Sequence, residues 1–177
     1  MNTYRTKLSP PRLQSGFTLV ELIVAIVILA VLSAVGFSRF ADMRGNASDA
    51  AFQGVVGAFK SGVHEARAVW MLEGNDLPAE NLQVFDTGQS GQIDFNANGW
   101  PSQQWFGALE SNPTLNNVAD CISVANGILQ GTLVISNATD ADYNTAYLGS
   151  NSCRYTSTIN IRLRFTYDSN SGNIEVD

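Results

Sequence analysis

The apolar positions of this chain change period three times, and each change predicts an element. Residues 17–37 read FTLVELIVAIVILAVLSAVGF, 21 positions with one charge, which at helical rise span about 30 Å and match a bilayer core. Beyond them, Phe52, Val55, Val56, Phe59, Val63, Ala66 and Trp70 fall at spacings of three and four with no proline from Asp42 to Glu73, so one amphipathic helix is expected to continue to about Glu73. Gly74-Asn75-Asp76 ends it, and residues 74–120, rich in Asn, Gln, Gly and Pro, read as a long connecting region. Strands are then expected at 127–136 and at 158–167, where Ile159, Ile161, Leu163, Phe165 and Tyr167 alternate with polar residues. Asp168 to Gly172 is a turn and 173–177 a short return strand. The pattern predicts an α+β domain in which a long N-terminal helix packs on an antiparallel sheet of three or four strands.

Charge sharpens this picture. Arg5, Lys7 and Arg12 stand in the first sixteen residues without any acid, leaving ten less three, or seven, basic residues against 16 acidic ones. A remainder of formal charge −9 excludes nucleic acid as a partner of the folded part. The basic leader ahead of the apolar run places the N-terminus in the cytoplasm and the chain beyond the run on the far side of the membrane. The plain reading is an uncleaved signal anchor, and Glu21 argues against it. An ionised side chain at bilayer depth costs roughly 3 kcal/mol, and no Lys, Arg or His occurs between Arg12 and Arg39 to pair with it. A cut after Gly16 would free an α-amine on Phe17, and that amine on one chain can meet Glu21 of the next.

The residues GFTLVELIVAIVILAVLSAV resemble the prepilin signature of type IV pilins and of the pseudopilins of type II secretion, over about residues 12–40. The resemblance implies a division into a leader, 1–16, removed by a prepilin peptidase between Gly16 and Phe17; a transmembrane and polymerisation helix, 17–38; and an exported pilin domain, 39–177, that includes the second half of the long helix. It also implies N-methylation of Phe17, a subunit-aligning role for Glu21, and the pilin fold. The implied partners are other pilin subunits, the peptidase, the inner-membrane assembly machinery and, before assembly, the lipid bilayer. The implied location is the bacterial inner membrane and then an extracellular pilus. The signature departs from many pilins in having Ser33, Gly36 and Ser38 where a helix-kinking proline is common. The segments ARAVWMLEGN, DFNANGWPSQ and LRFTYDSNSGNIEVD look like the mannose-sensitive haemagglutinin pilus group, which implies a major or minor subunit serving surface attachment; the alternative is a pseudopilin.

The remaining chemistry is sparse. Cys121 and Cys153, with His64 far away, are too few for a zinc site and read as one disulfide, with a free thiol as the alternative. That pair also resembles the disulfide-bounded C-terminal region of many pilins, a surface often exposed on the filament. Asp94, Asn96, Asn98 and Gly99 imitate the start of a calcium loop, but the twelfth position is Trp105 where a bidentate Glu is needed. An Asx or β-turn followed by Pro101 accounts for the same residues. Calcium there would favour the pseudopilin. Asp140, Asp142 and Asn144 have similar spacing without the glycine or the terminal acid. No nucleophile elbow, phosphate loop or paired-carboxylate spacing is present, so the chain is expected to be a structural protein without cofactors.

Overall fold

A computed structural model of the chain describes residues 16–73, 76–106, 110–131 and 133–177, apart from the side chains at 35, 38 and 40–42. The basic leader therefore lies outside the described residues up to position 15, as do Gly74 and Asn75. The chain falls into two compact units, Met1–Arg44 and Gly45–Asp177. Helix α1, Leu19–Glu73, runs through the boundary as 55 continuous helical residues, without the proline whose place Ser33 and Gly36 take. Ser33 Oγ donates to the Leu29 carbonyl at 2.7 Å.

In the first unit the large apolar side chains of α1 from Leu19 to Leu32 are all exposed. Among the described residues no helix is long and apolar enough to cross a membrane.

The second unit is built on the other half of α1. Six residues of the expected stripe, Phe52, Val56, Phe59, Val63, Ala66 and Trp70, are buried. Phe52 and Phe59 of this stripe pack on a five-stranded sheet in the order β4-β5-β6-β7-β8. Its strands are Ile135–Ser136, Tyr143–Gly149, Ser152–Ser157, Arg164–Asp168 and Asn173–Val176. The last four run antiparallel, as expected, and the two-residue β4 joins the edge in parallel. Phe59 is the hub: its ring lies 5.6 Å from Tyr155, 5.3 Å from Phe165 and 5.4 Å from Tyr167. Phe52 meets Tyr143 and Phe165 one end further along.

Three expectations need correction. Residues 127–136 are not one strand, because 127–129 close a second helix, α2, Val118–Leu129, and only Ile135–Ser136 is extended. Asn117 caps α2 by accepting the Asp120 N–H at 3.0 Å, and Gln130, with φ 52°, ends it in the left-handed region. Residues 158–163 are not strand either but the turn joining β6 to β7, and Ile159 and Ile161 stand in solvent. The connecting region carries a three-stranded antiparallel sheet, β1 Ala79–Gln83, β2 Gln92–Phe95 and β3 Pro101–Gln103.

Helix α2 sits between this small sheet and the large one. A Cβ on Gly62 of α1 would come within 2.8 Å of Ile128, and one on Gly127 within 2.5 Å of Ile93, so the two helices and β2 approach as closely as they do because these positions lack side chains. The disulfide Cys121–Cys153 joins α2 to β6 with Cα atoms 5.6 Å apart. Both cysteines are fully buried, so the bond staples the core rather than an exposed surface loop. Buried phenols add two ties: Tyr155 donates to the Cys121 carbonyl at 2.8 Å and Tyr167 to the Pro101 carbonyl at 2.7 Å.

Two substitutions test this core. Phe59→Ala should lower unfolding free energy by about 3–5 kcal/mol, the range for a large aromatic removed from a close-packed site. Replacing both cysteines by serine should lower it by about 3–4 kcal/mol. Denaturant titration of the full chain followed by tryptophan fluorescence measures each; a loss under about 1 kcal/mol for Phe59→Ala would mean the sheet does not depend on the helix stripe.

Candidate assembly site

Gly16, Phe17 and Thr18 precede α1 in non-helical conformation, and a Cβ placed on Gly16 would meet nothing within 4 Å. Among the described residues, then, the Gly16–Phe17 bond is open to approach, and the Phe17 ring is exposed. Thr18 begins the helix. Its hydroxyl accepts the Glu21 N–H at 3.2 Å, while Glu21 Oε2 accepts the Thr18 N–H and the Thr18 hydroxyl at 2.9 Å each. This is a reciprocal capping box, in which the acid at the third helical position satisfies the donor of the cap residue.

Glu21 therefore has partners within its own chain, which sequence reasoning missed when it required a cation from elsewhere. The signal was available in the spacing Thr18-Leu-Val-Glu21, the Thr-x-x-Glu pattern ahead of an apolar run. Both hydrogen bonds fall on Oε2. The geometry holds a carboxylate at the positive end of the helix dipole, one turn from the nitrogen that a cut after Gly16 would free.

The calcium-like residues are used differently. Asp94 is buried and its two carboxylate oxygens accept the Asn81 N–H at 2.7 Å and the Trp105 N–H at 3.1 Å. Asn96 Oδ1 accepts from the Asn98 and Trp100 N–H groups, and its amide donates to the Ser169 carbonyl at 2.6 Å. The Asn98 amide donates to the Asn170 carbonyl. These contacts form an Asx turn that ties the loop after β2 to the turn between β7 and β8. Gly99 and Gly172 both have positive φ, and a Cβ on either would lie 2.3 Å from Trp70 or Trp100 respectively. The Arg67 guanidinium lies between those indoles, 4.9 Å from the Trp70 centroid and 4.4 Å from that of Trp100, and donates to the Asn98 carbonyl. Among the described residues no group of three His, Cys, Asp or Glu side chains is arranged to hold a metal ion. Asp142 accepts the Val134 N–H at 2.8 Å, and His64 packs edge-on to Trp100 at the exposed face of α1.

Asp94 does have acidic neighbours. Burial pushes its carboxyl above the ordinary aspartate value, and the Glu110 charge adds to this while the two backbone donors oppose it. Glu80 is raised by desolvation and by the charges of Asp94 and Glu110. A carboxyl whose pKa is higher folded than unfolded binds its proton more tightly in the folded state. Stability linked to these groups therefore rises as pH falls from the raised folded value toward the unfolded value near 4.

The arrangement as a whole contains an exposed apolar helix headed by a capped carboxylate, and a core closed around structural rather than reactive groups. A helix with that much exposed apolar surface is stable only in lipid or among other helices. The comparisons agree. Residues 11–37 match the family described as the prokaryotic N-terminal methylation motif. The chain is 30% identical over 112 residues to the type IV narrow pilus major component PilA5 of Thermus thermophilus, an alignment covering 63% of this chain and 87% of that protein. No solved structure gives a significant match. The chain belongs to the type IV pilin family and is a structural protein, not an enzyme.

Two measurements test the loop chemistry. Millimolar calcium or excess chelator should leave the thermal midpoint of the full chain unchanged, because the side-chain oxygens of Asp94 and Asn96 already accept backbone N–H groups; a calcium-dependent rise of several degrees would contradict that assignment. Glu80→Gln, which keeps an acceptor for the Glu110 N–H, should raise the midpoint at pH 7 and reduce its rise as pH falls toward the unfolded carboxyl value near 4. An unchanged pH slope would remove the carboxylate cluster as its cause.

Proposed function

We propose that this chain is made as a bacterial inner-membrane precursor, cut between Gly16 and Phe17, methylated at the Phe17 amine and built through residues 17–38 into an extracellular type IV pilus. The single observation that carries the reading is the carboxylate of Glu21, held at the helix start beside the bond to be cut, at the head of an apolar helix whose large side chains are exposed. In a filament, lateral packing of Val20 to Val35 buries that apolar surface between subunits. The Phe17 amine of one subunit meets Glu21 of the next, and the capping box holds the acid ready for it. The domain 39–177 faces solvent, with residues 39–44 as the link to its folded part. Its net acidity, exposed loops and three segments similar to the mannose-sensitive haemagglutinin group support a pilus of that type serving surface attachment. The peptidase and the inner-membrane assembly machinery are its transient partners, and the bilayer is its reservoir before assembly.

Intact mass and N-terminal sequencing of sheared surface filaments, and separately of membranes from the same cells, test the reading. The expected filament species begins at methylated Phe17; a species beginning at Met1 and confined to membranes would overturn it.

The two roles of Glu21 separate by substitution. Glu21→Gln keeps the capping box, which accepts either residue, but removes the charge. Glu21→Ala removes both, and loss of the cap alone costs about 1 kcal/mol. Cleavage should persist in both variants, and filament incorporation should fall about equally in both. Incorporation of Glu21→Gln at the native level would show that capping, not pairing with a neighbour's amine, is the role of the acid.

A further inference from the structure

The alternation that buries Phe165 and Tyr167 continues backward through Ile161 and Ile159, yet the sheet stops at Arg164, and these two isoleucines are 74% and 84% exposed. They are not loose. Ser157 N–H donates to the Leu163 carbonyl at 2.9 Å, Leu163 N–H to the Asn160 carbonyl at 2.9 Å, and Arg162 N–H to Asn160 Oδ1 at 3.1 Å. Thr158 at the loop's base donates to the carbonyls of Ala141 and Asp142. A turn fixed at this many points presents Ile159 and Ile161 in one conformation, so little order remains to be imposed on binding.

Position and charge identify the occupant. The loop leaves the sheet beside Tyr143, which pairs with Ser157 and stacks on Phe52. It therefore lies at the end of the second unit where α1 enters, opposite the turn that holds Gly172. Residues 154–164 carry Arg154, Arg162 and Arg164 and no acid, within a unit, 45–177, whose five basic and fourteen acidic residues give a formal charge of −9. Arg154 and Arg164 share Asp177 at 3.4 Å each, which leaves Arg162 without an ion pair among the described residues. An apolar pair beside a cation complements a surface that is acidic and offers apolar contact, and in a polymer of identical chains that surface is supplied by the next copy.

We propose that the β6–β7 loop, through Ile159, Ile161 and Arg162, docks on the folded domain of a second copy of this chain in the assembled filament. The proposal rests on the filament reading and adds to the helix a second contact, made by the exported domain. The helix contact drives insertion into the polymer, and the loop fixes the rotation of each domain against its neighbour.

A benzophenone side chain in place of Ile161, in full-length protein expressed with its assembly machinery, tests the contact directly. Irradiation of sheared filaments should give a covalent species of twice the subunit mass, with the cross-linked peptide in residues 45–177. Adducts to phospholipid alone, to another protein alone, or no adduct in filaments that form normally would overturn the proposal. As a second readout, Ile159→Ser with Ile161→Ser should reduce filament recovery at least tenfold while processed subunit in the membrane stays within twofold of native. Native filament recovery from that variant would also overturn it. If the membrane pool falls as well, the cross-link in the otherwise native chain decides. Absence of the unsubstituted chain from filaments would instead defeat the filament reading, and this surface with it.

Discussion

A helix in a protein draws most of its stability from packing of its apolar surface rather than from its own hydrogen bonds, and in a helix of 55 residues the rest of the structure answers to that constraint. The half from Phe52 to Trp70 finds support within the chain, where Phe59 lies against Tyr155, Phe165 and Tyr167 and the backbone of α2 reaches Gly62. Among the described residues the half from Leu19 to Leu32 finds none: its large apolar side chains are exposed. A helix apolar on every side is stable only in lipid or among other helices. Folding of the second unit and the proposed association of the first are thus two solutions to one problem, applied to consecutive stretches of the same element.

Much of this was legible in the sequence. The three-and-four spacing from Phe52 to Trp70 located the buried stripe and the end of α1 at Glu73, because a helix packed on a sheet must repeat that way. The alternation around Phe165 and Tyr167 gave β7, and the two cysteines gave the bond. What escaped notice shares a physical cause. Period alone does not say where a sheet ends, so Ile159 and Ile161 were assigned to a face they never reach. The run from Gly127 to Ser136 has strand-like composition, but Asn117 caps a helix upstream and Gln130 ends it in the left-handed region. The small sheet hid in polar sequence because its buried Asp94, and Asn96 just after it, are satisfied by partners remote in sequence that no local pattern displays.

For the proposed assembly site, the sequence suggested the residues and the structure supplied the geometry. Gly16, Phe17 and Glu21 were picked out by type and spacing, and the cost of a charge in an apolar run directed attention to a foreign cation. The capping box shows a second reason for an acid at that position. The same carboxylate completes the first turn of the helix, so the helix start is ordered in a subunit that has not yet met a neighbour.

The burial of the disulfide imposes an order of events. Cys121 and Cys153 have no exposed surface once α2 lies on β6, so an oxidant must reach the two thiols before that packing closes. Oxidation accordingly belongs to the interval before the domain has folded. A reductant applied later meets a closed shell. Exchange at the sulfurs then waits on rare openings of the domain, and the rate at which the bond is lost measures how often a subunit breathes.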